Sequence, residues 1–233
     1  MYRKNNSITK RVNYYAFFDV DETIIQEKSM FSFLYFYSKK MVLKLNIIKV
    51  IKIFYYFNLI KYLKINKYSR DHINEIYYKF YKGININTLN NHANEWFDKA
   101  RRRRNFFNSN IINEIYFHKM NGAKVVLVSG SFQACLKPIA NYLGIEEILC
   151  TQMEILDQKC TGNLLNIPII GEGKVILIKQ LLLKDNFSNY SLCYAYGDHI
   201  SDLPMLNFVG NPRVVPNCKK LLEYAKEKNW VLL

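Results

Sequence analysis

Tyr14-Tyr15-Ala16-Phe17-Phe18-Asp19-Val20-Asp21-Glu22-Thr23-Ile24-Ile25 is the stretch from which the rest of the chain is read. Its apolar, β-prone run predicts a buried strand that stops at the first aspartate. Asp19 and Asp21, two residues apart and followed by the Thr23 hydroxyl, then sit at the carboxyl end of that strand. In an open α/β sheet this is where ligands bind. Crowded carboxylates repel one another unless a cation neutralises them, so the pair points to a hard metal ion such as Mg²⁺. A polar turn after a hydrophobic strand is the plainer alternative.

Downstream, the pattern changes twice. Residues 29–40, 41–64, 69–82 and 86–104 carry apolar side chains at three- and four-residue spacing, with breaks rich in Asn, Lys or Gly, and no strand-like alternation intervenes. They predict about four helices inserted after the first strand. From Ser109 the chain alternates. A helix over 109–121 precedes a buried strand over 123–128, and Ser129-Gly-Ser then opens a helix through Tyr142. A strand over 147–150, a hairpin turning at Asp157-Gln158, a helix over 172–185 and a strand over 191–196 follow. The chain closes with a short helix from Asp202, a strand over 213–215 and a helix over 217–228. Strands alternating with helices predict a parallel sheet with right-handed crossovers. The expected class is therefore α/β, a Rossmann-like parallel sheet core flanked by helices with an inserted all-helical cap. Residues 1–26 and 108–233 form the core and 27–107 the cap.

Among 233 residues, half are hydrophobic, with 18 Tyr and 15 Phe, so the chain has ample material for a core and disorder is excluded. The formal charge of +14 is uneven: residues 28–107 hold 17 Lys/Arg against 4 Asp/Glu. Such asymmetry marks a face turned toward a phosphorylated substrate, a lipid head group or nucleic acid, or simply a Lys-rich solvated surface. Five cysteines without a CxxC pair and four His without ligand spacing indicate neither a disulfide framework nor a zinc site. Buried thiols in a reducing compartment are expected. The basic N-terminal stretch, with Arg3, Lys4, Lys10 and Arg11, lacks the apolar segment of a signal peptide. Residues 41–60, with Lys44, Asn46, Lys49, Lys52 and Asn58, carry too many polar groups for a transmembrane span. They read as an amphipathic helix, packed inside or lying on a bilayer surface.

Four places carry polar groups of complementary kinds: Asp19 and Asp21; Ser129-Gly130-Ser131, whose hydroxyl and helix-opening N–H groups suit an anion; Lys174 at a helix start; and Asp198 with Asp202 past a strand. Carboxylates for a cation, together with a hydroxyl, amides and a Lys for a phosphate, suit phosphoryl transfer. The ordered segments Asp19-Val-Asp-Glu-Thr, Val128-Ser129-Gly-Ser, Lys174 and Gly197-Asp198-His-Ile-Ser-Asp202-Leu-Pro-Met-Leu resemble the four motifs of the haloacid dehalogenase-like (HAD) superfamily. The likeness covers the whole core, including Gly171-Glu-Gly-Lys. More narrowly, the chain resembles subfamily IB, the phosphoserine-phosphatase-like enzymes with a helical cap after the first motif.

The resemblance implies that Asp19 is the nucleophile and Asp21 the general acid, then base. It implies Mg²⁺ held by Asp19, the main-chain carbonyl of Asp21 and Asp198. Ser129, Gly130 and Lys174 would bind the phosphoryl group, Asp202 would orient Lys174 or a water, and Thr23 would fix the loop. His199 departs from the small polar residue usual there and is read as a loop residue. The expected protein is a Mg²⁺-dependent phosphatase acting on a small phosphorylated metabolite such as phosphoserine, or on a lipid phosphate. The basic cap and Met30-Phe31-Ser-Phe-Leu are similar to phosphatidylglycerophosphate phosphatases, which leaves open a cytoplasmic protein peripheral at the inner membrane surface. The competing reading is a binding module that grips RNA or an anionic membrane through the cap without turnover. Nucleic acid is disfavoured because every required catalytic residue type is present.

Overall fold

The computed structural model describes residues 13–43 and 47–233. The basic residues 1–12, and Lys44 and Asn46 of the 41–60 segment, lie outside the described residues. In chain order the strands are β1 (Tyr15–Phe18), β2 (Lys124–Phe132), β3 (Glu147–Thr151), β4 (Met153–Leu156), β5 (Lys159–Leu164), β6 (Tyr194–Gly197), β7 (Asn211–Val214) and β8 (Val231–Leu232). The helices are α1 (Ser29–Val42), α2 (Ile47–Ile65), α3 (Arg70–Lys79), α4 (Ile86–Ala100), α5 (Ser109–Met120), α6 (Gln133–Leu143), α7 (Glu172–Lys184), α8 (Leu203–Phe208) and α9 (Lys219–Glu227).

Six strands form one sheet in the order β3-β2-β1-β6-β7-β8, all pairs parallel. The α/β class and the parallel core are thus as expected. β1 is apolar at every position because the sheet is covered on both faces. Its side chains alternate: Ala16 and Phe18 enter one core, Tyr15 and Phe17 the other. β2 divides the same way, Val125 and Leu127 against Val126 and Val128. The chain winds outward from β1 to β3, then returns to build β6, β7 and β8 on the other side. The order reverses beside β1, the place where such sheets open a crevice.

The insert α1–α4 contains no strand among its described residues, but its core is continuous with that of the sheet. Phe132 of β2 lies 5.5–6.1 Å, ring centre to ring centre, from Phe33, Tyr77, Tyr78 and Tyr81 of the insert. The hairpin β4–β5 turns at Asp157 and Gln158, whose φ angles of 47° and 59° match the tight two-residue turn expected there. It also clasps the loop after α3, with Gly83 N donating to Cys160 O at 2.7 Å and Cys160 N to Ile84 O at 2.9 Å.

Several boundaries differ from the sequence reading. β2 does not stop at Ser129: it runs on to Phe132, and α6 begins only at Gln133. Burying Phe132 among the insert aromatics holds the chain extended, with a register shift in its pairing to β3 between Ser129 and Phe132. α4 ends at Ala100, so the arginine run 101–104 falls in turns. Adjacent guanidinium groups repel in a continuing helix, and Arg103 instead bridges to Glu27 at 2.8 Å. α1 continues to Val42, past the expected break, and α3 stops at Lys79 rather than at residue 82. Residues 190–192 are a 3₁₀ turn, leaving β6 to start at Tyr194. Among the described residues no helix is long and apolar enough to cross a membrane.

Candidate active site

The loop leaving β1 is curled at the carboxyl end of the sheet, where its carboxylates sit. Asp19 N donates to Tyr196 O at 2.9 Å, keeping β1 and β6 joined up to the site. The Val20 carbonyl then accepts from the N–H groups of Thr23, Ile24 and Ile25. Glu22 sits inside this curl at φ 62°, a left-handed conformation that costs a non-glycine residue about 1 kcal/mol. Such strain gathers at functional loops. Asp21 Oδ1 accepts from Ser29 N at 3.0 Å, placing its charge on the amino end of α1, where the helix dipole favours an anion.

Lys174 comes from the first turn of α7, which Gly171 opens with a positive φ of 56°. Its ammonium is buried and lies between two carboxylates: it donates to Asp19 Oδ1 and, at 2.7 Å, to Asp202 Oδ1. The other Asp202 oxygen accepts from the main-chain N–H groups of Asp198 and His199, at 3.3 and 3.1 Å. Asp202 reaches them only because residue 197 is glycine. A Cβ there would stand 2.7 Å from the Asp202 Cβ and 2.9 Å from Oδ2. Thr23 Oγ1 donates to Asp198 Oδ1 across 3.4 Å, tying the first loop to the last.

Asp19, Asp198 and Asp202 each bring a carboxylate oxygen within 4.8 Å of the others. This all-oxygen donor set suits a hard divalent cation. The cluster includes Asp202 and omits the Asp21 carboxylate, which is occupied at the start of α1. Burial raises Asp19 well above the usual carboxylate range, an effect that Lys174 partly reverses. Burial also lifts Asp21 to about 6, opposed by the Ser29 N–H, and lifts Asp198, with the Asp202 charge beside it, to about 7. For Lys174 burial pulls the other way, but the two carboxylates outweigh it and hold the group charged.

These groups line a cavity of about 280 Å³. Asp19, Asp21, Lys174, Asp198 and Asp202 form its polar side, with Gly130 and Ser131 beside them. Ser129 stands behind that wall, buried, its Oγ accepting from Ser131 N at 3.0 Å. Of the triplet's two serines it is Ser131, its hydroxyl in hydrogen-bond contact with the Ser29 hydroxyl at 2.9 Å, that lines the cavity. Thr23 likewise supports from behind. His199 borders the cavity, and its Nδ1 accepts from Ser201 N at 3.1 Å, capping the turn that carries Asp202. The insert closes the cavity with Lys28, Met30, Phe31, Lys64, Ile73 and Asn74. Sequence reasoning reaches Met30 and Phe31, in the Met30-Phe31-Ser-Phe-Leu stretch, but misses Lys28, Lys64, Ile73, Asn74 and Ser131. Only Ser131, in the same Ser-Gly-Ser triplet, carried a local signal.

The family model for haloacid dehalogenase-like hydrolases matches residues 16–207, from β1 into α8. A probable phosphatase of Mycobacterium tuberculosis is 38% identical over 116 residues, covering 50% of this chain and 40% of that protein. The chain thus matches about half or less of the length of its curated relatives. The solved structure of a Bordetella pertussis protein superposes with a TM-score of 0.83 at 20% identity, covering 96% of this chain and 99% of that one. An apo phosphoserine phosphatase shares the fold at TM-score 0.62 and 16% identity, covering 94% and 92%.

Proposed function

We propose a function from one premise: the chain belongs to the haloacid dehalogenase-like hydrolase family. The proposed reaction is hydrolysis of a phosphate monoester through an aspartyl-phosphate. An Asp19 oxygen attacks phosphorus, the ester P–O bond breaks, and Asp21 gives its proton to the departing oxygen. Water then attacks the phosphorus of the acyl phosphate while Asp21 takes a proton, releasing inorganic phosphate and restoring Asp19. Burial of Asp21, which raises its pKa to about 6, suits a group that must alternate between acid and base near neutrality. Lys174, Gly130, Ser131 and Ser129 behind them are assigned to the transferring phosphoryl group, and Asp202 to holding Lys174. Thr23 and the His199 turn keep the two loops in place. Mg²⁺ fits the oxygen donors; Asp19, Asp198 and the main-chain carbonyl of Asp21 would hold it, and when bound it supplies positive charge to the phosphoryl oxygens.

The observation that carries the reading is the convergence of Asp19, Lys174, Asp198 and Asp202, separated by up to 183 positions in sequence, on one small cavity. That cavity suits a small phosphorylated metabolite, and the insert would choose it. Met30, Phe31 and Ile73 offer an apolar wall to the leaving group, and Lys64 and Lys28 offer cations at its rim. A lipid phosphate whose head group enters from a bilayer is the second substrate class this wall admits. A cytoplasmic setting accompanies the reading, supported by four buried, unpaired cysteines.

The test is hydrolysis of p-nitrophenyl phosphate with Mg²⁺, alongside a panel of soluble and detergent-dispersed phosphate esters. Asp19→Asn is expected to lose at least about 10³-fold in kcat, worth about 4 kcal/mol of transition-state stabilisation. Chelation of divalent cations is expected to silence the wild type. Turnover that survives Asp19→Asn unchanged would overturn the proposal.

A further inference from the structure

α2 carries a feature that phosphoryl chemistry does not use. Ile47, Ile48, Ile51, Phe54, Tyr55, Tyr62 and Ile65 are all more than half exposed. With exposed Asn58 they recur at three- and four-residue steps, so they lie on one face of the helix. That apolar stripe points to solvent while Ile60 and Leu63 on the opposite side are buried in the core. Beside it, Tyr35 and Val42 of α1, Leu43 just past its end, and Val50, Ile53, Phe54 and Phe57 of α2 wall an almost wholly apolar cleft of about 530 Å³. Phe54 belongs to both. Continuous exposed apolar surface of this kind marks a docking face.

The charge around it names the occupant. Residues 28–70 contain ten Lys/Arg and no Asp or Glu. Lys39, Lys61 and Lys67 are exposed along the stripe and cleft. We infer that the outward face of α2, with the α1–α2 cleft, docks onto an anionic lipid bilayer, the apolar stripe entering the interface and the lysines meeting acidic head groups. An interfacial helix of this design lies in the plane of the membrane rather than crossing it, consistent with the absence of a spanning helix among the described residues. A second copy of the chain fits less well, since a two-fold pairing across this face sets the lysines against their own equivalents. Nucleic acid fits less well again, since seven apolar side chains would face its phosphates. Lys64, in the last turn of α2 and 3.5 Å over the Phe31 ring, lies outside this stripe, and both residues line the site.

This inference rests on surface chemistry and stands apart from the hydrolase reading. Its test is flotation of the full chain with vesicles of phosphatidylcholine alone and with about one third phosphatidylglycerol, which reads binding and not turnover. Binding is expected to the anionic vesicles at least about tenfold more tightly than to the neutral ones, and to weaken in high salt. The double variant Ile51→Glu/Phe54→Glu is expected to lose at least about tenfold in vesicle affinity. Lys39→Glu/Lys61→Glu is expected to lose several-fold while leaving the apolar face intact. Far-UV circular dichroism and p-nitrophenyl phosphate turnover, both expected to match wild type, report that each variant is folded. Absence of binding to anionic vesicles overturns the inference, as does retained binding in the folded Ile51/Phe54 variant. A dimer that this variant dissolves, with no vesicle binding by wild type, assigns the face to a second copy instead and equally overturns it.

Discussion

The sheet and the insert treat polar groups in opposite ways. At the carboxyl ends of the central strands they are buried or partly buried and mutually satisfied: Lys174 against Asp19 and Asp202, Asp202 against two main-chain N–H groups, Asp21 against Ser29 N. In the insert the buried interior is largely aromatic, and its lysines of described burial stay at the rim or in solvent. One region spends its stability on holding charge out of water; the other gains stability from ring packing and leaves charge outside.

The largest effect on this comparison is expected at its seam. Phe132→Ala removes the ring around which Phe33, Tyr77, Tyr78 and Tyr81 gather. A loss of about 3–5 kcal/mol is expected from the cavity it leaves. Urea unfolding should remain a single transition shifted to lower denaturant, because both regions draw on this ring. Two separate transitions would show that the regions are stable independently.

A smaller effect separates the regions by pH. His118 on α5 is fully buried between Tyr14 and Tyr196, its ring nitrogens 2.9 and 2.7 Å from their hydroxyls. Burial lowers its pKa from 6.5 to about 4. The unfolded chain therefore binds the proton first as pH falls. The stabilising contribution is complete above about pH 6.5 and is lost as pH drops toward 4, by at most about 3 kcal/mol. Urea midpoints at pH 7 and pH 4.5 should differ more in wild type than in His118→Gln. An equal difference in the two proteins would remove His118 as the cause.

The smallest effect concerns the tether between the regions. Tyr78 of α3 donates to Gly130 O at 3.0 Å, and Thr151 donates to the same carbonyl at 3.0 Å. Tyr78→Phe is expected to cost about 1 kcal/mol in urea unfolding, and a few-fold in kcat with little change in KM, because Thr151 keeps the carbonyl in place. Unaltered stability together with unaltered kcat would place the cap contact outside both roles.

The same contrast explains what could be read before the fold was known. Asp19, Asp21, Asp198 and Asp202 stand just beyond strands, and Lys174 just inside a helix, so short-range pattern and the order of motifs located them. The parallel sheet followed from the alternation after Ser109. Lys28, Lys64, Ile73 and Asn74 had no such marker: they reach the cavity because α1–α3 fold over it, and helix periodicity says which face is apolar but not what that face meets. The extension of β2 to Phe132 escaped for a related reason. Ser-Gly-Ser reads locally as a stop, and only the distant aromatic residues of the insert draw Phe132 into an extended chain.

Lys174 arrives already clasped by the carboxylate assigned to attack. Because that contact takes up one carboxylate oxygen and leaves the other outside it, the proposed cycle can keep the ammonium beside the nucleophile, offsetting its charge while the second oxygen attacks.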